Sequence, residues 1–177
     1  MLYQSIEQYI TRFPIYQYEM INSSEIEFDA KVRNFCKKEC SRYGTSWSCP
    51  PAIFNIDKCK AKCLRFSKAL IFSSIADVAD DKKAITEARR RHGQTVKQIT
   101  KFFKVNNVPC YVLSTDECLL CDKCTYPKRQ CIHPEAMIPC IESHGIVLLN
   151  TMEKLQMDYL MEEGTKIWFG IIFLDEG

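Results

Sequence analysis

Polar and apolar positions change period several times along this chain, and each change predicts an element. Residues 5–12 read as a short helix stopped by Pro14, whose ring cannot continue one. From 15 to 21 the period is two, with Tyr16, Tyr18 and Met20 on one side and Gln17 and Glu19 on the other. After Asn22-Ser23-Ser24, residues 25–33 alternate again. Ile26, Phe28, Ala30 and Val32 face inward, while Glu27, Asp29, Lys31 and Arg33 face water. Two such runs across a short polar turn predict an antiparallel N-terminal hairpin with one wet face.

Further on, residues 68–75 (KALIFSSI) and 108–114 (VPCYVLS) read as more deeply buried strands. Between them, 80–105 carries Ile85, Ala88, His92, Val96, Ile99 and Phe103 at helical spacing, with an aspartate pair to cap its start. Strand, long helix, strand predicts a βαβ crossover joining parallel neighbours. Residues 55–66 predict a helix on which Cys59 and Cys63 share an apolar stripe with Ile56 and Phe66. A helix over 153–163, ended by Gly164, and a strand over 166–174 complete the pattern. The expectation is one mixed α/β domain over 1–177: a mixed sheet, the N-terminal hairpin, the crossover, and cysteine-rich loops in the connections.

Composition narrows the function. A chain of 177 residues, 46% hydrophobic, can bury a proper core. Twenty-four basic against 22 acidic residues leave a net charge of +2, which speaks against nucleic acid as a partner. The densest basic run, Arg89-Arg90-Arg91-His92, reads as a solvated helix face. No run approaches the ~18 apolar residues of a membrane span, and residues 1–13 lack the continuous apolar stretch of a secretory signal. Those features predict a cytoplasmic, reducing environment. Eleven cysteines are an odd number that cannot all pair, and in such a compartment dense cysteines serve metals more often than disulfides.

Two cysteine groups carry the chemistry. The first in sharpness is Cys118-x2-Cys121-x2-Cys124-x6-Cys131, followed by Ile132-His133-Pro134. Three thiolates at successive x2 spacing can wrap one face of a cubane, and bacterial ferredoxins begin their cluster runs this way. Zinc is the alternative, although it usually takes paired cysteines from two knuckles. Whether Cys131 closes this site or crosses to the other group is open, with local closure preferred. The second group is Cys36-x3-Cys40-x8-Cys49, passing through Tyr43-Gly44 and closing on Pro50-Pro51. Gly44 allows a turn close to a bulky cofactor, and the prolines stiffen the loop. Trp47 reads either as a shield for the site or as ordinary core. Three cysteines alone fit metal ligation or small buried hydrophobes equally well.

Together the two groups resemble a family of predicted metal-binding proteins, a cysteine-rich domain of unknown function found largely in anaerobic bacteria and archaea. The matching residues are Val32-Arg33, Cys36, Cys40, Tyr43-Gly44 and Cys49-Pro50-Pro51, then Cys118, Cys121, Cys124-Thr125, Cys131 and His133-Pro134-Glu135. Pro139, Glu142 and Gly145-Ile146 continue the match. The resemblance implies metal binding, iron–sulfur in character, on a mixed α/β chain, and it implies no reaction. Cys59, Cys63, Cys110 and Cys140 fall outside the shared pattern, the position of Cys140 being more typically serine. Cys140 is thus either an extra ligand or an incidental thiol.

Histidines add little. His133 reads as a ligand or, preferably, as the residue before a Pro134-led turn. His92 reads as a core histidine, and His144, before Gly145, as a cation at a helix end. No phosphate-cradling glycine loop or i, i+4 histidine pair is present. The expected function is therefore a cytoplasmic iron–sulfur protein of electron transfer or redox chemistry, with one or two 4Fe-4S clusters and a redox protein as partner. A cluster on Cys36, Cys40 and Cys49 alone would leave one iron open to a small-molecule ligand. The alternative is a structural zinc module that engages another protein.

Overall fold

The computed structural model describes residues 2–115 and 118–175, with side chains from Ile6 onward. Four strands form one sheet: β1 (Gln17–Asn22), β2 (Lys68–Asp77), β3 (Cys110–Ser114) and β4 (Thr165–Leu174), in the order β1-β2-β4-β3. Around it lie α1 (Leu2–Ile10), α2 (Lys31–Glu39), α3 (Ile56–Cys63), α4 (Lys82–Val105) and α5 (Leu148–Leu155). The mixed α/β class expected from the sequence is the one observed.

Alternation along the central strands divides two apolar layers. Ala69 and Ile71 of β2, Leu113 of β3, and Phe169, Ile171 and Phe173 of β4 pack with Cys63, Ile141, Ile146, Leu148 and Met152. Leu70, Phe72, Val112, Ile172 and Leu174 face the other way, onto Ile6 and Ile10 of α1 and Val96, Ile99 and Phe103 of α4. The α4 stripe is the one its 3.6-residue periodicity demands, and Asp81 caps the helix by accepting the Lys83 N–H at 2.8 Å. A sheet covered on both faces explains why its inner strands read as nearly continuous apolar runs.

Three expectations are corrected. First, β2 and β3 are both antiparallel to β4, hence parallel to each other, but β4 lies between them. The crossover joins separated strands, and the neighbours in the sheet are antiparallel rather than mixed. β4 is buried continuously from Trp168 to Leu174, so the middle of the sheet is where it buries the most.

Second, the antiparallel partner of β1 is β2, from Gln17↔Ser73 to Asn22↔Lys68, and not residues 25–33. That segment begins in a 3-10 turn, makes one bridge between Phe28 and Ile146, and then coils into α2. The Asp29 carboxylate accepts the Lys31 N–H at 2.8 Å, a local bond that competes with extended pairing. α2 buries no residue, and its short stripe of Val32, Phe35 and Cys36 borders a cleft instead of the core.

Third, the helix expected over 153–163 is α5, which ends at Leu155 where Gln156 turns left-handed at φ +55°. The chain beyond is tied to β1 instead. The Gln17 side chain donates to the Asp158 carbonyl at 2.6 Å and accepts its N–H at 3.0 Å.

Candidate metal centre

Helix α2 places Cys36 in its last turn and Cys40 at its C-terminal cap, where the Cys40 N–H donates to the Cys36 carbonyl at 3.3 Å. Residues four apart share a helix face, so the two thiols form a pair. The chain then reverses through Gly44, at φ +69°, whose N–H donates to the Pro50 carbonyl at 2.9 Å. That loop returns Cys49, buried, towards α2. Inside the loop the buried Ser46 and Ser48 hydroxyls lie 2.7 Å apart.

A fourth thiol stands with these three. The Cys140 N–H donates to the Ser48 carbonyl at 3.1 Å, and Ile141 N–H to the Ser114 carbonyl at 3.0 Å. Cys140 is thereby clamped between the end of β3 and the residue before Cys49. Its thiol hydrogen-bonds with that of Cys49 and donates to Glu142 Oε2 at 2.6 Å. Cys36, Cys40, Cys49, Cys140 and Glu142 line one cleft of about 920 Å3 beside the first residues of β4. Burial pushes the Cys36 thiol up to about 11, reinforced by Glu142, Cys40 and Cys49. Cys140 is held well above its ordinary value by its hydrogen bond to Cys49, then by burial and Glu142. A coordinated cation reverses that balance and deprotonates its thiols.

The Cys118–Cys131 group is a loop. Cys118, Cys121, Cys124 and Cys131 are all half-buried, and no helix or strand carries them. Burial raises the Cys118 thiol, the Leu120 and Ile138 backbone N–H groups donate to the sulfur and oppose the rise, and Cys121 and Cys131 add to it. Backbone donors to sulfur are among the devices that tune a cluster. The Cys118 N–H itself donates to Ser48 Oγ at 2.9 Å. Trp47 of the first loop reaches across as well. Its Nε1–H donates to the Arg129 carbonyl at 3.1 Å, and its ring meets Tyr126 edge-on at 5.0 Å. Thus Trp47 packs over the 124–131 segment rather than over its own loop. A smaller cleft of about 250 Å3, with Cys118 in its wall, shares Arg89, Thr115 and Trp168 with the larger one.

Other residues take structural places. Cys59 and Cys63 are fully buried on α3, as their stripe predicts. Arg33, read from sequence as a water-facing strand residue, staples the region together. It donates to the Ser143 carbonyl at 2.7 Å, to the Phe54 carbonyl, and to Cys59 Sγ at 3.5 Å. His92 is buried and bonds Ser74 Oγ at 2.5 Å and the Phe169 carbonyl at 3.1 Å, as a core histidine would. His133 is exposed and its carbonyl accepts from Ala136 and Met137, which is the turn expected before Pro134. Of the basic run, Arg90 is exposed and pairs with Glu87 at 2.7 Å, whereas Arg89 lines both clefts.

His144 is a correction. It is buried, and desolvation depresses its pKa to about 4, so it is neutral at pH 7 and no helix-end cation. Its Nδ1 lies 3.1 Å from the Cys140 carbonyl and its Nε2 2.6 Å from the Tyr111 hydroxyl. A carbonyl only accepts, so Nδ1 carries the proton and Nε2 accepts from Tyr111. The imidazole therefore holds the main chain at Cys140. Cys140, Glu142, Ser48 and this Tyr111–His144 support lie beyond what spacing signals. Tyr111, Glu142 and His144 lie far in sequence from Cys36, Cys40 and Cys49, Ser48 carries no ligand signal of its own, and only the Pro139–Ile146 stretch of the resemblance pointed to this region.

All eleven cysteines are free thiols. Soft sulfur donors suit iron–sulfur clusters and zinc alike, so the donor chemistry fits a metal. Among the described residues, no three cysteine, histidine or acidic side chains converge as ligands of one ion. The Cys36, Cys40 and Cys49 group surrounds a cleft rather than a point. No helix among the described residues is long and apolar enough to cross a membrane. No curated protein and no solved structure matches the chain. Residues 19–174, which include both thiol groups, match a family model, and the chain belongs to the family described as predicted metal-binding protein (DUF2284).

Proposed function

We propose that this chain is a cytoplasmic iron–sulfur protein that passes single electrons to a redox partner protein. Cys118, Cys121, Cys124 and Cys131 would hold one four-iron cluster, and the Cys36, Cys40 and Cys49 cleft a second. When bound, such a cluster supplies reversible one-electron transfer at a potential set by its charge, hydrogen bonds and exposure. The observation that carries this reading is the contact between the two thiol groups. Ser48 accepts the Cys118 N–H through its side chain and the Cys140 N–H through its carbonyl. The two ligand loops therefore share one residue, which favours a short electron path between them.

The size of the larger cleft also favours a cluster over zinc. A zinc ion sits about 2.3 Å from each sulfur and needs no cavity, whereas the thiols here line about 920 Å3. Protein purified without oxygen should be brown, contain about eight irons with matching labile sulfide per chain, and bleach on reduction. Stoichiometric zinc with no sulfide would replace this reading with the structural zinc module.

A further inference from the structure

Three thiolates leave a four-iron cluster one ligand short, and the spacing Cys36-x3-Cys40-x8-Cys49 contains no fourth. We infer that Cys140 is that ligand, so that Cys36, Cys40, Cys49 and Cys140 close the site with protein thiolates on every corner. The inference rests on the metal-binding reading of this cleft and specifies its ligand set.

Position carries the argument. Cys140 lines the same cleft as the other three and hydrogen-bonds with Cys49. The four thiols fall into two pairs: Cys36 and Cys40 a turn apart at the end of α2, Cys49 and Cys140 on adjoining main chains. Cys140 is not placed by a free loop. Its N–H is bound to Ser48, Ser114 bridges it in parallel register, and the His144 ring bonds its carbonyl. Ligands on a backbone fixed from several sides keep the geometry that a metal site requires. The alternative donors do worse. His133 is exposed in its own turn, and Glu142 already accepts the Cys140 proton at 2.6 Å.

That hydrogen bond gives the proton a route. To hold iron Cys140 would have to give up its thiol proton, and Glu142 Oε2, which accepts that S–H at 2.6 Å, would take it. Glu142 also lines the cleft and can release it to water. No oxidant or reductant is involved. The functional consequence is exclusion: with eight thiolates for two clusters, no iron is left open for a substrate, and the protein is a carrier rather than a Lewis-acid catalyst.

The test uses the whole chain, loaded and purified without oxygen. Imidazole or cyanide added to the wild-type protein should leave the visible and paramagnetic resonance spectra unchanged. A saturable shift would show an open iron and overturn the inference. Cys140→Ala should lose the cleft cluster, with iron falling from about eight to about four per chain, or keep it and gain the imidazole response that the wild type lacks. Cys140→Ser keeps the size of the side chain, so a parallel loss in this variant, with unchanged circular dichroism, excludes a failure to fold. Full iron and an unresponsive spectrum in Cys140→Ala would also overturn the inference. Cys49→Ala separates the two levels. If it loses iron while Cys140→Ala keeps it and stays unresponsive to imidazole, the cleft is a metal site without Cys140. If both keep all their iron, the cleft is no metal site at all.

Discussion

The two thiol groups are built in opposite ways. Cys118, Cys121, Cys124 and Cys131 follow one another along a loop, so chain connectivity alone keeps their sulfurs close. Cys36, Cys40, Cys49 and Cys140 come from a helix end, a reversed loop and a segment pinned to β3, so tertiary structure has to bring them together. The first arrangement is tied to the fold at a few points, the Cys118 N–H on Ser48 and Trp47 on Arg129; the second is only as good as the fold beneath it. A local site tolerates strain in the scaffold, while a distributed site reports on it. The surroundings differ as well: all four loop thiols are half-buried, while the cleft group runs from exposed Cys40 through half-buried Cys36 to buried Cys49 and Cys140.

The largest effect should come from removing one ligand on each side. Cys36→Ser and Cys124→Ser should each lower iron from about eight to about four per chain, and each should spare the other site. Loss of all iron from either variant would show that the two groups form one site and would end the comparison.

Acid should distinguish them next. The His144 pKa is about 4 in the folded chain against 6.5 for the free side chain. The unfolded chain takes up that proton first, so this contribution is complete above pH 6.5 and is lost as pH falls towards about 4. The loss amounts to roughly 3 kcal/mol. Denaturant melts from pH 7 to pH 4.5 should show it, and nuclear magnetic resonance should find the ring neutral at pH 5. A ring that titrates near 6.5 would remove His144 from the support of Cys140.

Strain in the sheet is a smaller probe. A Cβ at Gly170 would meet the Phe72 ring, with Cε1 at 2.8 Å. Gly170→Ala should therefore cost about 1–3 kcal/mol and weaken metal retention in the cleft more than in the loop. Equal loss from both would mean that the loop depends on the sheet as well.

The buried pair on α3 is the negative control. Cys59→Ala with Cys63→Ala should keep all iron and cost about 1 kcal/mol per site through lost packing. Missing iron in this double variant would make them ligands. Ser48→Ala should cost about 1 kcal/mol, because it removes the acceptor of the Cys118 N–H. Its main effect should be on the rate of electron exchange between the sites, read by freeze-quench spectroscopy.

Sequence showed what periodicity and spacing encode. The α4 stripe, the strands β1 to β4 and the cysteines of each loop are local patterns, and they are where the pattern puts them. The 25–33 alternation misled because only its last three residues enter α2, less than one turn and too few to show helical spacing. Here the Asp29 side chain decided the outcome. The insertion of β4 between β2 and β3 was out of reach, since nothing in either strand names its partner. Cys140 was left open by the sequence, as either an extra ligand or an incidental thiol. A thiol with no cysteine nearby has no spacing to read, and its neighbours become visible only when Ser114 and Ser48 flank it in space.

The central place of β4 also sets a timetable for biosynthesis. Of the four strands it is the last in the chain, yet β2 and β3 both pair with it. Until it emerges, the nascent chain carries two unpaired strand edges, which are templates for association with other chains. The cleft cannot exist in that interval, because Trp168 and the first residues of β4 form part of its wall. Its thiols are all synthesised by then and stand ungathered. Any metal held by the cleft would thus arrive only after β4 has emerged, whereas the loop group, with its thiols close along the chain, could be loaded earlier. A cell short of metal-delivery capacity would accumulate chains filled at the loop first.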